Sequence, residues 1–247
     1  MEPMCAYDLR EGTNKDGVYE DKTRYDLNGT QKTEILTNEF QKIVDKHNTT
    51  NPLFAYLSFH AVHGPIVITK KDIELIKDVY HRTPRNSNKK RAQILSMGTG
   101  MDRAIGRVVE TLQRANMWEN SIIVFANDNG GKSGLSNNWP FQRAKSSILE
   151  GGIRVPSFIH SNLLPKSRLG ERTDNLMDMT DWLPTMLSMA GCDSQPPTGK
   201  VFDGVDQSEM ITSEVENVPE VGPRDEILHH LDYLKTYPHR NLQDPRE

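Results

Sequence analysis

The stretch Ser121-Ile122-Ile123-Val124-Phe125-Ala126-Asn127-Asp128-Asn129-Gly130-Gly131 decides how this chain is read. A continuous apolar run, rich in β-branched residues, stops abruptly at an acid, an amide and two glycines. That is the pattern of a buried parallel strand running into a functional loop. In open α/β sheets, ligands gather outside the carboxyl ends of strands, so Asp128 and Asn129 stand where chemistry is expected. Both carry side-chain oxygens, the donors that a hard cation such as Ca²⁺ or Mg²⁺ prefers. The two glycines let the backbone turn sharply beneath a ligand. Asn, Asp and Gly also dominate ordinary turns, so a plain strand-to-turn junction is the competing reading of this segment taken by itself.

Composition sets the bounds. The 247 residues suit one large domain, or one domain plus a fragment. With 35% hydrophobic and 26% charged residues the chain is polar for a single core, which predicts long surface loops or a missing portion. A net charge of −4 and a pI near 6.1 give no reason to expect a nucleic-acid partner. The basic run from Arg82 to Arg91 reads as a solvated loop. No apolar run approaches the length of a membrane span, and the amino terminus does not read as a signal peptide. The sequons Asn28-Gly29-Thr30 and Asn48-Thr49-Thr50 are glycan acceptors if the chain enters the secretory route. Cys5 and Cys192 could pair with each other, pair with other partners or stay free, and the sequence does not choose.

Working outward, residues 1–30 are polar and turn-rich without a clear period. From Thr33 to His47, Leu36, Phe40, Ile43, Val44 and His47 recur on one helical face. Pro52–Phe59 reads as a short buried strand ending at His60-Ala61-Val62-His63-Gly64-Pro65. A short helical piece near Asp72–Tyr80 precedes a stronger helix marked by Met101, Ile105, Val108, Val109 and Leu112. Strand, helical excursion and strand form a βαβ unit, which places His63 and Asp128/Asn129 at one edge of one sheet. Beyond Gly131 a loop carries Asn137-Asn138-Trp139-Pro140, Arg143 and Lys145, and Glu150-Gly151-Gly152 opens a strand over Ile153–His160. Thr180, Pro184 and Gly191 mark the cap, first turn and stop of a further helix.

A carboxylate–amide pair, a histidine and a loop lysine suit an oxyanion held beside a divalent cation. The lysine adds a second positive point, and histidine can protonate a leaving oxygen. Several runs occur in an order that resembles type I sulfatases of the alkaline-phosphatase superfamily. They are Ala61-Val62-His63-Gly64-Pro65, Asp128-Asn129-Gly130-Gly131, Asn137-Asn138-Trp139-Pro140, Arg143-Ala144-Lys145, Glu150-Gly151-Gly152-Ile153-Arg154 and Thr180-Asp181-Trp182-Leu183-Pro184-Thr185. The Asn-Asn-Trp-Pro run is most similar to the arylsulfatase B subgroup, and the resemblance extends over roughly Cys5–Asp232.

The resemblance implies an α/β fold with a mostly parallel sheet flanked by helices. It assigns Asp128 and Asn129 to Ca²⁺, Lys145 to a sulfate oxygen, and His63 to the sulfate near the leaving oxygen. Gly151 and Gly152 become a tight turn, and Asp181 a helix cap. It further implies a calcium-dependent sulfuric ester hydrolase acting on sulfated sugars, N-acetylgalactosamine 4-sulfate among them, or on aryl sulfates, in a lysosomal or secreted setting. Neither Cys5-Ala-Tyr nor Cys192-Asp-Ser fits Cys-x-Pro-x-Arg, the motif whose cysteine becomes the formylglycine nucleophile. The family's first-strand Asp-Asp ligands and its Lys/His pair have no match either. The expectation is therefore a partial catalytic domain over 1–212, with 213–247 beginning a truncated C-terminal subdomain, and no turnover by this chain alone. The alternative is a non-catalytic short form that binds sulfated glycan or a protein partner. A two-metal phosphoryl-transfer relative ranks below both, because no Asp-His pair follows the second strand.

Overall fold

The computed structural model describes residues 10–15, 18–27, 29–82, 89–192, 196, 199–218 and 221–229. They fall into two compact units, Met1–Trp118 with Gly134–Ser136, and Glu119–Ser133 with Asn137–Glu247.

The first unit opens with an antiparallel hairpin, β1 (Arg10–Lys15) and β2 (Val18–Thr23), in the register Arg10↔Thr23 to Lys15↔Val18. The sequence reading overlooked this hairpin because its strands are polar and lack the apolar alternation that marks a half-buried strand.

Three helices form the rest: α1 (Lys32–Lys46), α2 (Lys70–Arg82) and α3 (Lys89–Arg114). Helix α1 starts near Glu34 and ends in Lys46, charges that complement its dipole. Helix α2 starts in a reciprocal cap. The Thr69 hydroxyl and amide donate to Asp72 Oδ2 at 2.6 and 3.2 Å, and the Asp72 amide donates to Thr69 Oγ1 at 3.1 Å. Asp72 is fully buried and also receives the Arg103 guanidinium of α3. Burial raises its pKa, but the bonds from Thr69 and Arg103 prevail and hold the carboxyl below its usual range. The two helices can approach here because α3 carries Gly100, where a Cβ would meet the Asp72 carboxylate at 3.1 Å.

The buried α3 residues include Met97, Ala104, Val108, Thr111 and Leu112, on the helix that packs against α1 with its buried Ile35, Phe40 and Val44. The predicted face was slightly rotated: Ile105 and Val109 are half-buried, and Ile43 of α1 is 54% exposed. A polar seam explains the rotation. Arg107 bonds Glu34 at 2.6 Å, Asn38 at 2.6 Å and Gln41 at 2.7 Å, so polar contacts share the α1–α3 contact with apolar ones.

Two expectations are corrected. Pro52–Phe59 forms no strand, and Phe54 (74%) and Tyr56 (82%) are exposed. Consequently no βαβ unit joins it to the strand at Ile123. Both pairings among the described residues are antiparallel. The chain is nevertheless α/β, as expected. Cys5, Asn28, the run 83–88 and His230 lie outside the described residues. Among the described residues no helix is long and apolar enough to cross a membrane.

The second unit is built on β3 (Ile123–Ala126) and β4 (Ser157–His160), with Val124↔Ile159 and Phe125↔Phe158 paired. The Phe125 and Phe158 rings stack at 5.2 Å. The strand expected over Ile153–His160 is shorter, since Glu150–Ile153 forms a one-turn helix, α4. Helix α5 (Trp182–Met189) ends at Gly191, whose φ of +68° is a left-handed stop, and α6 (Ser208–Thr212) follows.

The cap before α5 begins at Asp178 rather than Thr180. Asp178 accepts the Thr180 amide at 3.0 Å, and Asp181 accepts the Asp178 amide at 2.8 Å. Asp181 is thus part of the cap, as expected, and does more. Fully buried, it accepts from the Val205 amide at 2.7 Å, Gln207 Nε2 at 3.2 Å and both arms of Arg224 at 2.6 and 2.8 Å. Burial raises its pKa, but these donors prevail and hold it below the usual range.

Because the folded value is depressed, this stabilisation is complete above the unfolded carboxylate value of about 3.9 and is lost as pH falls through the folded value. Asp181→Ala should therefore destabilise the second unit by roughly 3 kcal/mol at neutral pH and flatten its acid-unfolding slope, read by urea titration between pH 7 and 3. The exposed Phe54 and Tyr56 side chains should drive self-association. Light scattering of the Phe54→Ser, Tyr56→Ser double variant should show a larger monomer fraction than the parent.

Candidate functional site

Strand β3 delivers Asn127, Asp128, Asn129, Gly130 and Gly131 in sequence. Asp128 is exposed and its Oδ1 accepts the Asn129 amide at 2.8 Å, which turns the chain outward. Asn129 is half-buried, and its Nδ2 donates to the Gly130 carbonyl at 3.2 Å, leaving its Oδ1 as the side-chain acceptor. The Oδ1 atom of Asn127 is buried and without a hydrogen-bond partner.

The turn is locked from beneath by α4. The Gly130 amide donates to Gly152 O at 2.8 Å, and the Gly151 amide to Gln142 O at 2.9 Å. A Cβ on Gly130 would collide with the Gly151 carbonyl, and one on Gly151 with the carbonyls of Gln142 and Arg143. The glycines are therefore required by backbone-on-backbone contact.

Asn138 staples the next loop to the same turn. Its Oδ1 accepts the Gly131 amide and its Nδ2 donates to Gly131 O, both at 2.9 Å, with a further bond to Arg143 O at 3.3 Å. An amide side chain is the right device, because it offers both a donor and an acceptor and so engages the N–H and the C=O of one residue. The Lys145 amide then donates to the same Gly131 carbonyl at 3.1 Å. Arg143 and Ser146 flank this point with φ of 70° and 74°. Non-glycine residues in that region cost roughly 1 kcal/mol each, so the surrounding bonds must hold the loop in shape.

Asp128, Asn129 and Lys145 are thus brought onto one braced loop cluster within the second unit. Lys145 is half-buried and ion-pairs with no described acid. His63 belongs to the first unit, where it is exposed and follows an irregular segment instead of a paired strand. Its amide donates to His60 O, and its Nδ1 lies 2.7 Å from Gly64 O. A carbonyl only accepts, so Nδ1 carries the hydrogen and Nε2 is the nitrogen open to a substrate. Asn48 is exposed in a turn, and its Oδ1 accepts the Thr50 hydroxyl at 2.9 Å.

Asp128 and Asn129 offer the hard oxygens that Ca²⁺ takes, but two side chains fall well short of the six to eight ligands it needs. Among the described residues no group of three or more His, Cys, Asp and Glu is placed to hold a metal ion. The donors fit in kind and not in number.

The Sulfatase family profile matches residues 6–192. Mouse (Mus musculus) arylsulfatase J is 34% identical over 94% of this chain and 35% of its own length. Dog (Canis lupus familiaris) N-acetylgalactosamine-6-sulfatase is 28% identical over 63% of the chain and 27% of its own length. Among solved structures, Ps i-CgsB in complex with k-i-k-neocarrahexaose superposes with a TM-score of 0.62 at 31% identity, over 76% of this chain and 40% of that one. The chain therefore spans about a third of the length of the mouse relative. These structural neighbours share the sulfatase, alkaline-phosphatase-like fold.

The close approach beneath the turn yields a direct test. Gly130→Ala should lower the urea midpoint of the second unit by the equivalent of about 2 kcal/mol, the cost of overpacking a site that cannot relax.

Proposed function

We propose that this chain, which belongs to the sulfatase family, carries the sulfate-gripping part of an arylsulfatase B-type, calcium-dependent sulfuric ester hydrolase. The observation that carries this reading is the shared Gly131 carbonyl and amide. It ties the backbone of Lys145 and the Asn138 loop to the turn that carries Asp128 and Asn129, which supports a shared role for the three residues. In the proposed role Lys145 places a compact positive charge on a sulfate oxygen, where fixed donors help most as charge develops on the departing ester. His63, with Nδ1–H committed to Gly64 O, uses Nε2–H of its protonated form to supply a proton to the leaving sugar oxygen. Asp128 and Asn129 would be two of the ligands of a Ca²⁺ ion whose other donors come from outside this chain. That ion would neutralise charge on the sulfate oxygens when bound.

Sulfated saccharide is the favoured substrate class. The solved relative bound to k-i-k-neocarrahexaose and the N-acetylgalactosamine-6-sulfatase relative both bear sugar names, and N-acetylgalactosamine 4-sulfate is a candidate within that class. The resemblance also favours a lysosomal or secreted setting, with exposed Asn48 as a glycan acceptor. One feature favours a second, non-catalytic reading, in which the chain binds sulfated glycan without cleaving it. The sequence holds no Cys-x-Pro-x-Arg, and so no residue for the formylglycine nucleophile.

Both readings require sulfate recognition, and they differ when the chain is joined to the remaining portion of a sulfatase. The purified chain should show no turnover of an aryl sulfate with or without Ca²⁺. It should bind a sulfated saccharide in preference to the desulfated one, and Lys145→Ala should remove roughly tenfold of that preference in a titration. Equal affinity of the parent chain for both saccharides would overturn the role of Lys145. In a chimera in which this chain replaces the matching part of mouse arylsulfatase J, retained turnover favours the hydrolase, and turnover absent from a folded chimera favours the binding form.

A further inference from the structure

We propose that Trp139 is a sugar platform beside the sulfate grip: its indole face receives a pyranose ring of a sulfated saccharide whose sulfate lies at Lys145. The proposal deepens the reading of Lys145 given above and rests on it for the placement of the sulfate.

Trp139 is 82% exposed, whereas Trp118 and Trp182 are half-buried. Tryptophan carries the largest apolar surface of any side chain, and leaving it in water forgoes the burial that such surface favours. Its neighbour Phe141 is already engaged, with the Arg154 guanidinium 4.9 Å from the ring centroid. The indole of Trp139 has no such ring contact among the described residues.

Exposure alone would describe a loose loop, but this loop is held. The Trp139 amide donates to Asn137 Oδ1 at 3.1 Å, and the Phe141 amide to Asn138 O at 2.9 Å. Between them Asn138 makes three side-chain bonds, two to the backbone N–H and C=O of Gly131 and one to Arg143 O. The backbone that carries Trp139 is thus fixed to the turn that presents Asp128 and Asn129 and that receives the Lys145 amide. A platform held in advance loses little conformational freedom when a ligand arrives.

Charge selects the ligand. From Asn129 to Leu149 the sequence contains Lys132, Arg143 and Lys145 and no acid. A cationic loop bearing one exposed aromatic face suits an anionic ligand that also has an apolar face. A sulfated pyranose has both. Its ester carries the charge, and the ring face lined with C–H groups is electron-poor, matching the negative face of the indole.

The test uses the full chain with a chondroitin 4-sulfate hexasaccharide and its chemically desulfated counterpart, with binding read by calorimetry. The parent chain should bind both, the sulfated form more tightly. Trp139→Ala should weaken both by about the same factor, roughly tenfold, the scale of one aromatic stack. Trp139→Phe should recover most of the loss, and Lys145→Ala should weaken only the sulfated form. Thermal midpoints equal to the parent's show that each variant is folded. Trp139→Ala binding both saccharides as the parent does would overturn the platform. So would a parent chain that binds neither, or a variant that loses self-association alone. If the parent chain shows no preference for sulfate while Trp139→Ala still loses both ligands, the platform stands and the Lys145 reading falls.

Discussion

The approach of Gly130 to Gly151 and Gly152 is the constraint on which the site depends. Two peptide backbones meet without side chains between them, joined by the bond from the Gly130 amide to Gly152 O at 2.8 Å. A Cβ at Gly130 would force the strand end and α4 apart, and one at Gly151 would force α4 off the carbonyls of Gln142 and Arg143. That contact fixes the level at which β3 ends, and so where Asp128 and Asn129 turn outward. Asn138 then transmits the position to the following loop by holding both polar groups of Gly131. Lys145 is placed by the same carbonyl, and the left-handed residues Arg143 and Ser146 on either side tolerate their conformation because the loop is so heavily bonded. Backbone geometry, more than side-chain packing, builds this surface.

The two units are stabilised by different means. In the first, three helices combine a small apolar core with polar links, Thr69–Asp72–Arg103 and Glu34–Arg107 among them. In the second, Asp181 gathers donors from the cap before α5, from Val205 and Gln207, and from Arg224. Buried carboxylates with several donors order their surroundings, and each leaves unpaired partners if removed. Large apolar side chains such as Phe54, Tyr56 and Leu163 meanwhile remain in solvent.

Local pattern carried some of this into the sequence and long-range pairing did not. The helix at Lys32–Lys46 followed from the recurrence of Phe40 and Val44, and the Gly191 stop from its residue type. The strand at Ile123–Ala126 followed from its apolar run, and the Asp128–Gly131 turn from the residues that end it. Pro52–Phe59 is also largely apolar, but a strand exists only where another segment supplies hydrogen bonds, and no described segment does so. The paired strands Arg10–Lys15 and Val18–Thr23 show the reverse, since they form a ladder with no apolar alternation to announce it. Asp178 rather than Thr180 begins the cap because Asp181, three residues on, can answer it. The bracing role of Asn138 was not legible, because an Asn in a loop gives no sign of which peptide it will grip.

Amide hydrogen exchange in the second unit tests the central claim most directly. If the strand end, the Asn138 loop and α4 are one braced body, the amides of Gly130, Gly131, Lys145 and Gly151 open together. They should then share one protection free energy that Asn138→Ala lowers for all four. A Lys145 amide that exchanges freely while Gly130 stays protected would contradict the account, because the lysine would then ride a loop independent of the turn that carries Asp128 and Asn129.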